Sequence, residues 1–243
     1  MRMIPFARRT AKEVLRDPLN VAFGVGFPLA VLLLLTAIQA NIPVSLFELD
    51  RLTPGIAVFG LSFFTLFSGM LVAKDRSSAL LQRLYTTPLT GSDYILGYLL
   101  PMIPIALAQS IICYAAAVVL GMEPVVQILY AIFLTVPAAL FFLFLGLLCG
   151  SLFSDKLVGG LCGALLTNLA AWLSGTWFDL DLVGGAFRKV AYALPFVHAV
   201  ELQRAVLSGS TGEILPHLGW VLGYALLMAF ASVWAFTWKK KRG

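Results

Sequence analysis

The sequence predicts an all-α, polytopic membrane protein with six transmembrane helices, and three observations predict it. Of its 243 residues, 60% are hydrophobic and only 12% are charged, with a mean hydropathy of +0.93, which excludes an ordinary water-soluble domain. Six apolar stretches, 19–40, 54–73, 95–120, 125–153, 157–176 and 217–238, are each long enough to cross a hydrocarbon core that needs about 20 helical residues. The cations are segregated between the loops. Thirteen Lys and Arg share one side with five acids, and four share the other with seven. Basic loops stay inside, so both termini are expected to be cytoplasmic.

Residues 1–18 come first. Ile4, Ala7, Ala11, Val14 and Leu15 recur at helical spacing opposite Arg8, Arg9, Lys12, Glu13 and Arg16, the pattern of a helix lying in the membrane interface. Asp17-Pro18 ends it, because the residue before a proline is pushed out of the α region. The apolar run that follows is too long for a signal peptide and lacks a small-x-small cleavage site, so it is expected to remain as the first span.

Between the second and third spans lies segment 74–94, containing "ALLQRLYTTPLTGSDYILGYLL". Leu80, Leu81, Leu84 and Tyr85 form one apolar helical face, with Gln82 and Arg83 turned elsewhere. Thr87-Pro88 stops that helix, and Thr90, Ser92 and Asp93 are N-cap candidates for the third span. A short amphipathic helix at the inner surface needs a cover for its apolar face. Lipid supplies one, and a groove on a protein partner supplies another.

Later spans carry Gly146-x-x-x-Gly150 and Gly159-x-x-x-Gly163, spacings that let helix backbones approach, read here as intramolecular packing. Segment 177–216 holds two short apolar faces. Ala186, Phe187, Val190, Ala191 and Leu194 form the first, and Phe196, Val197, Val200 and Leu207, after Pro195, the second. Each is too short to span. They either dip into the outer leaflet and return or lie on it as a cap.

The spans carry Gln109, Ser110, Gln127, Thr167, Asn168 and Ser174, with no Asp, Glu, Lys, Arg or His near a midplane. Ion-coupled carriers need such a group, and no nucleophile with its base and no zinc-binding HExxH is present, so neither coupled transport nor catalysis is expected. Most of these polar residues read as helix-helix glue. Gln109 and Asn168 are the candidates for a transport path. His198 and His217 read as interfacial side chains without partner residues. Cys113, Cys149 and Cys162 read as small core residues, and no metal site is expected.

Four stretches together resemble the permease subunit of ABC-2 type ABC exporters: "RRTAKEVLRDP", "LTPGIAVFGLSFF", "AKDRSSALLQRLYTTPLTGSDYILG" and "LPFVHAVELQRAVLSG". The usual Glu-Arg pair reads Asp75-Arg76, and Ser77-Ser78 replaces the following Gly. The resemblance implies a single transmembrane domain over 1–243 in an inner (plasma) membrane, with a bacterial source expected. It makes Leu80, Arg83, Leu84, Tyr85, Thr86, Thr87, Pro88 and Leu89 a coupling helix that docks on a separate ATPase subunit. Arg9, Lys12, Glu13 and Arg16 belong to a connecting helix that touches the same partner. ATP and Mg would bind in that partner, since this chain has no GxxxxGK[ST] loop and binds no cofactor itself. A second permease, expected to be identical, completes the assembly, and nucleic acid is not an expected partner. A hydrophobic or amphipathic small molecule is the favoured cargo, with a lipid-linked glycan the alternative. An ion-coupled carrier and a non-transporting scaffold are the readings of other classes.

Overall fold

The computed structural model describes residues 3–78 and 91–240. Ten helices run through them: α1 (Met3–Arg16), α2 (Pro18–Gln39), α3 (Leu49–Ser77), α4 (Gly91–Val119), α5 (Gln127–Leu152), α6 (Asp155–Leu173), α7 (Leu180–Val183), α8 (Gly185–Ala193), α9 (Pro195–Leu207) and α10 (Thr211–Lys240). The fold is all-α. Six of these, α2 to α6 and α10, are long and apolar enough to cross a membrane. Six crossings leave α1 and the end of α10 at one face, called here the terminal face; the 41–48, 120–126 and 174–211 connections lie at the far face.

The predicted spans match these helices closely, but three begin earlier than apolar length suggests. The helices α3 and α10 start at Leu49 and Thr211, five residues before Pro54 and Pro216, which lie inside the second turn and each remove one intrahelical N–H donor. At the first bend, Asp17 caps α2 by accepting a hydrogen bond from the Leu19 amide at 3.0 Å.

The axis of the bundle is α3, which is buried along most of its length while α2, α6 and α10 are largely peripheral. Small residues make this possible. A Cβ at Gly146 would lie 2.0 Å from Ser68 Oγ and 2.3 Å from the Thr65 carbonyl, and one at Gly150 would lie 2.3 Å from the Gly69 carbonyl. The predicted Gly146/Gly150 seam therefore works inside the chain, bringing α5 against α3 closely enough for Thr65 Oγ1 to donate to the Phe142 carbonyl at 3.0 Å. The second seam differs. Gly163 faces Leu66 of α3, whereas Gly159 meets nothing within 4 Å. Where the peripheral α2 and α6 pass α3, both widen into π-helical turns, at Ala22–Gly26 and Leu161–Leu166.

In segment 177–216 the chain folds back into the bundle. Leu194 and Pro195 form the tip of an α8–α9 hairpin. There the Tyr224 hydroxyl, halfway along α10, donates to the Ala193 carbonyl at 2.6 Å, and the Phe196 ring lies 5.9 Å and 6.0 Å from those of Phe141 and Phe142, halfway along α5. Most of α9 is buried, including the polar His198 and Gln203. Gln203 explains how a helix with only a modest apolar stripe can sit inside. Its Oε1 accepts from Tyr114 of α4 at 2.7 Å, and its Nε2 donates to Thr135 of α5 at 3.2 Å, so its amide is satisfied away from water.

Candidate functional site

The expected coupling residues Leu80, Arg83, Leu84, Tyr85, Thr86, Thr87, Pro88 and Leu89 lie outside the described residues. What the structure does describe is the frame on either side: the end of α3, the start of α4, and α1 packed across them.

The seat of α1 is built from aromatic rings and one glycine. Phe6 stacks on Tyr94 at 5.2 Å and meets Tyr98 edge-on at 4.9 Å. It enters a notch that exists because position 97 is glycine: a Cβ there would be 2.1 Å from Phe6 Cδ1. One turn on, Thr10 and Val14 continue the buried face. Phe6, Thr10 and Val14 face the bundle, while Ile4 and Leu15 of the apolar face read from the sequence are exposed, as residues turned to a membrane interface would be. The notch at Gly97 and the position of Asp75 fix that orientation.

Asp75 is the hub. Although only 3% exposed, it accepts two hydrogen bonds from the Arg9 guanidinium, at 2.7 Å and 2.8 Å, and one from the Tyr98 hydroxyl at 2.6 Å. The Tyr98 oxygen lies 2.7 Å from the Tyr94 hydroxyl, and because Tyr98 spends its proton on Asp75, Tyr94 is the donor there. Arg9 also pairs with Glu13 one turn along α1 at 2.8 Å. The hydrogen bonds to Asp75 raise the Arg9 pKa, outweighing its partial burial, so this cation is permanent. Two oxygens facing a planar fork give the pair a fixed geometry as well as energy. Side by side in sequence, Asp75 and Arg76 point different ways. The Arg76 guanidinium donates to the Phe153 carbonyl at 2.7 Å and to that of Ser151, taking up carbonyls at the end of α5 that have no helical partner. One dipeptide thus ties the end of α3 to α1 and α4 on one flank and to α5 on the other. Tyr94 extends the cluster to α10 by stacking on Phe236 at 4.5 Å.

The four expected connecting-helix residues divide. Arg9 and Glu13 are engaged in the Asp75 network, while Lys12 and Arg16 are exposed, with Arg8, on the outer surface of α1. The two transport-path candidates have different surroundings. Gln109 is fully buried between α3 and α4, its Nε2 3.3 Å from Cys113 Sγ and facing the space left by Gly60. Asn168 is exposed on α6 and donates to the Ala164 carbonyl at 2.7 Å. All three cysteines are free and buried.

At the far face Arg204 fastens α9. Its guanidinium donates to the Arg51 carbonyl at 2.9 Å and 3.1 Å, to the Gly175 carbonyl at 3.1 Å and to Glu201 at 2.8 Å, joining α9 to the start of α3 and the end of α6. The expectation that His198 and His217 have no partners is corrected here. Their Nδ1 atoms are 2.8 Å apart, because the hairpin turns α9 back alongside α10. Sequence reading missed Tyr94, Tyr98, Arg204 and the histidine contact. Only the Tyr94/Gly97/Tyr98 spacing carried a signal, a ring-lined notch at i, i+3 and i+4.

A multi-pass helical membrane protein with α1 locked across the flanks of the α3–α4 connection is the class this architecture defines. Residues 6–208 match the family described as ABC-2 type transporter, and the chain belongs to it. It is accordingly a membrane component of an ABC transporter. No curated protein and no solved structure matches it.

Proposed function

We propose that this chain is the permease half of an ATP-driven exporter, powered by a separate ATPase subunit that docks on residues 80–89 and on the exposed side of α1. The observation that carries the reading is the Arg9–Asp75–Tyr98 network. It makes α1, the end of α3 and the start of α4 one unit around the proposed docking segment. A displacement applied there is therefore delivered to the central helix α3 and to α4 rather than absorbed locally. ATP and Mg bind in the partner, whose closure moves that unit and shifts the spans between two states that hold the cargo with different affinity. The terminal face is cytoplasmic in this reading, supported by the cationic residues Arg8, Lys12, Arg16, Lys74, Arg76 and Lys156 at that end. Two copies of the permease form the working assembly. A hydrophobic or amphipathic small molecule is the cargo that best suits spans so poor in charge.

Co-purification tests the docking. An ATPase carrying a P-loop should copurify with the wild-type chain and be lost with Leu84→Asp or Tyr85→Asp, while both variants still insert. Retention of the ATPase together with undiminished ATP-stimulated transport by these variants would refute the assignment.

A further inference from the structure

We propose that His198 and His217 form a one-proton latch that holds the re-entrant helix α9 against α10 while the pair carries no more than one extra proton, and that releases when acid supplies a second. Hydrogen-bond accounting leads to this. Nε2 of His198 lies 2.9 Å from the Tyr192 carbonyl, which can only accept, so Nε2 carries the proton. In the neutral ring, Nδ1 of His198 is then bare, and it receives the Nδ1–H of His217 across 2.8 Å. The Trp220 indole stacks on the His198 ring at 4.9 Å and 8°, closing its face.

The first proton fits this arrangement. Taken from water onto Nε2 of His217, it leaves the Nδ1–H···Nδ1 bond in place and makes its donor cationic, which strengthens the bond. The second proton has one remaining site, Nδ1 of His198. Two N–H groups would then face each other with no acceptor between two like charges, and the contact must open. The neutral pair is therefore a device for sensing acid, built where α8, α9 and α10 converge at the tip side of the hairpin.

The surrounding groups set the threshold. From α8, Tyr192 presents its ring to His198, and Arg188 lies over that ring at 5.2 Å while pairing with Asp181 of α7. On α9 itself Glu201 is one turn away, engaged by Arg204. From α10 come His217 and, one turn before it, the exposed Glu213. At the deep end, α5 presents the uncharged Phe141 and Phe142, and the charges that α3 brings near α9, Asp50 and Arg51, sit around Arg204 at the rim. Burial lowers the His198 pKa most, the hydrogen bond to the Tyr192 carbonyl opposes it, and the neighbouring His217 lowers it and Glu201 raises it by less. The sign follows. A released His198 protonates at about 6.5, whereas the latched one resists, so the latch is at full strength above that value and weakens progressively below it.

The chain contains only two histidines, so the full-length protein, labelled with ¹⁵N-histidine, carrying a non-histidine tag and held in nanodiscs, reports on both rings directly. At about pH 7.5 one ring should show a bare Nδ1 and the other an Nδ1–H. On acidification His198 should protonate below the ordinary histidine range. Amide exchange across 185–207, corrected for intrinsic rates, should rise by up to about tenfold per pH unit below about 6.5. In His217→Gln, whose side-chain carbonyl can accept from a protonated His198, the His198 titration should move upward and the acid-dependent rise in exchange should disappear. Independent titration of both rings near the ordinary histidine value in the wild-type protein would overturn the latch, and so would exchange across 185–207 that is the same at about pH 7.5 and about pH 5. The wild-type readings decide the matter even if the variant fails to fold, and none of them depends on whether the chain exports anything.

Discussion

At the terminal face a carboxylate gathers the helices, and at the far face a guanidinium does. Asp75 receives three hydrogen bonds from two side chains on two other helices, and one of its donors is permanently charged. Arg204 instead spends most of its donors on backbone carbonyls, of Arg51 and Gly175, and its acidic partner Glu201 lies on its own helix. Beside it the Nδ1 atoms of His198 and His217 meet at 2.8 Å. Separating α1 from α3 would strand a nearly buried carboxylate and the Tyr98 hydroxyl, and withdrawing α9 would strand the buried Tyr114 and Thr135 that Gln203 satisfies, although it would leave Arg204 with Glu201. The contrast lies in the chemistry of the two hubs, an ion pair between helices at one end and a cation on backbone carbonyls at the other.

Substitutions break or sharpen that comparison in a graded way. Asp75→Ala should be the most damaging, destabilising the detergent-solubilised protein by about 3 kcal/mol in denaturant unfolding. It removes the acceptor from both Arg9 and Tyr98, with Arg9, half-exposed, recovering part of the loss from water. Asp75→Asn keeps an acceptor for Tyr98 and should cost about half as much, since hydrogen bonds to charged groups are the stronger ones. Arg204→Ala should cost about 2 kcal/mol and loosen the far face alone, raising amide exchange in α9 without changing it in α1. Gly97→Ala, which places a methyl where Phe6 sits, should cost about 1 kcal/mol and raise exchange in α1 rather than α9. Lys12→Ala, on an exposed surface, should stay within about 0.5 kcal/mol of wild type. If Asp75→Ala proved as mild as Lys12→Ala, the carboxylate would not be a hub and the two faces would be alike.

Much of the fold was legible in the sequence because a hydrocarbon core leaves a long chain few choices. Apolar length alone marked six helices, and Asp17-Pro18 marked the first bend. The Gly146/Gly150 spacing foretold a close helix approach within the chain, and the structure places it between α3 and α5. What escaped depended on rotation and depth, which one-dimensional spacing does not encode. Phe6 is not part of the apolar face that spacing marks on α1, and only the notch at Gly97 shows that it is the residue seated in the bundle. His198 and Gln203 look too polar for a bundle interior until Tyr192, His217, Tyr114 and Thr135 meet their hydrogen bonds. The Asp75-Arg76 dipeptide was visible as a pattern, but nothing in its composition says that its two side chains reach different helices.

The central claim is that residues 80–89 and α1 form the grip by which an ATP-hydrolysing subunit drives the spans. Photo-crosslinking from position 84 in native membranes tests it most directly. The account predicts capture of a P-loop ATPase, abolished by a Tyr85→Asp change beside the probe, and capture of lipid alone would contradict it.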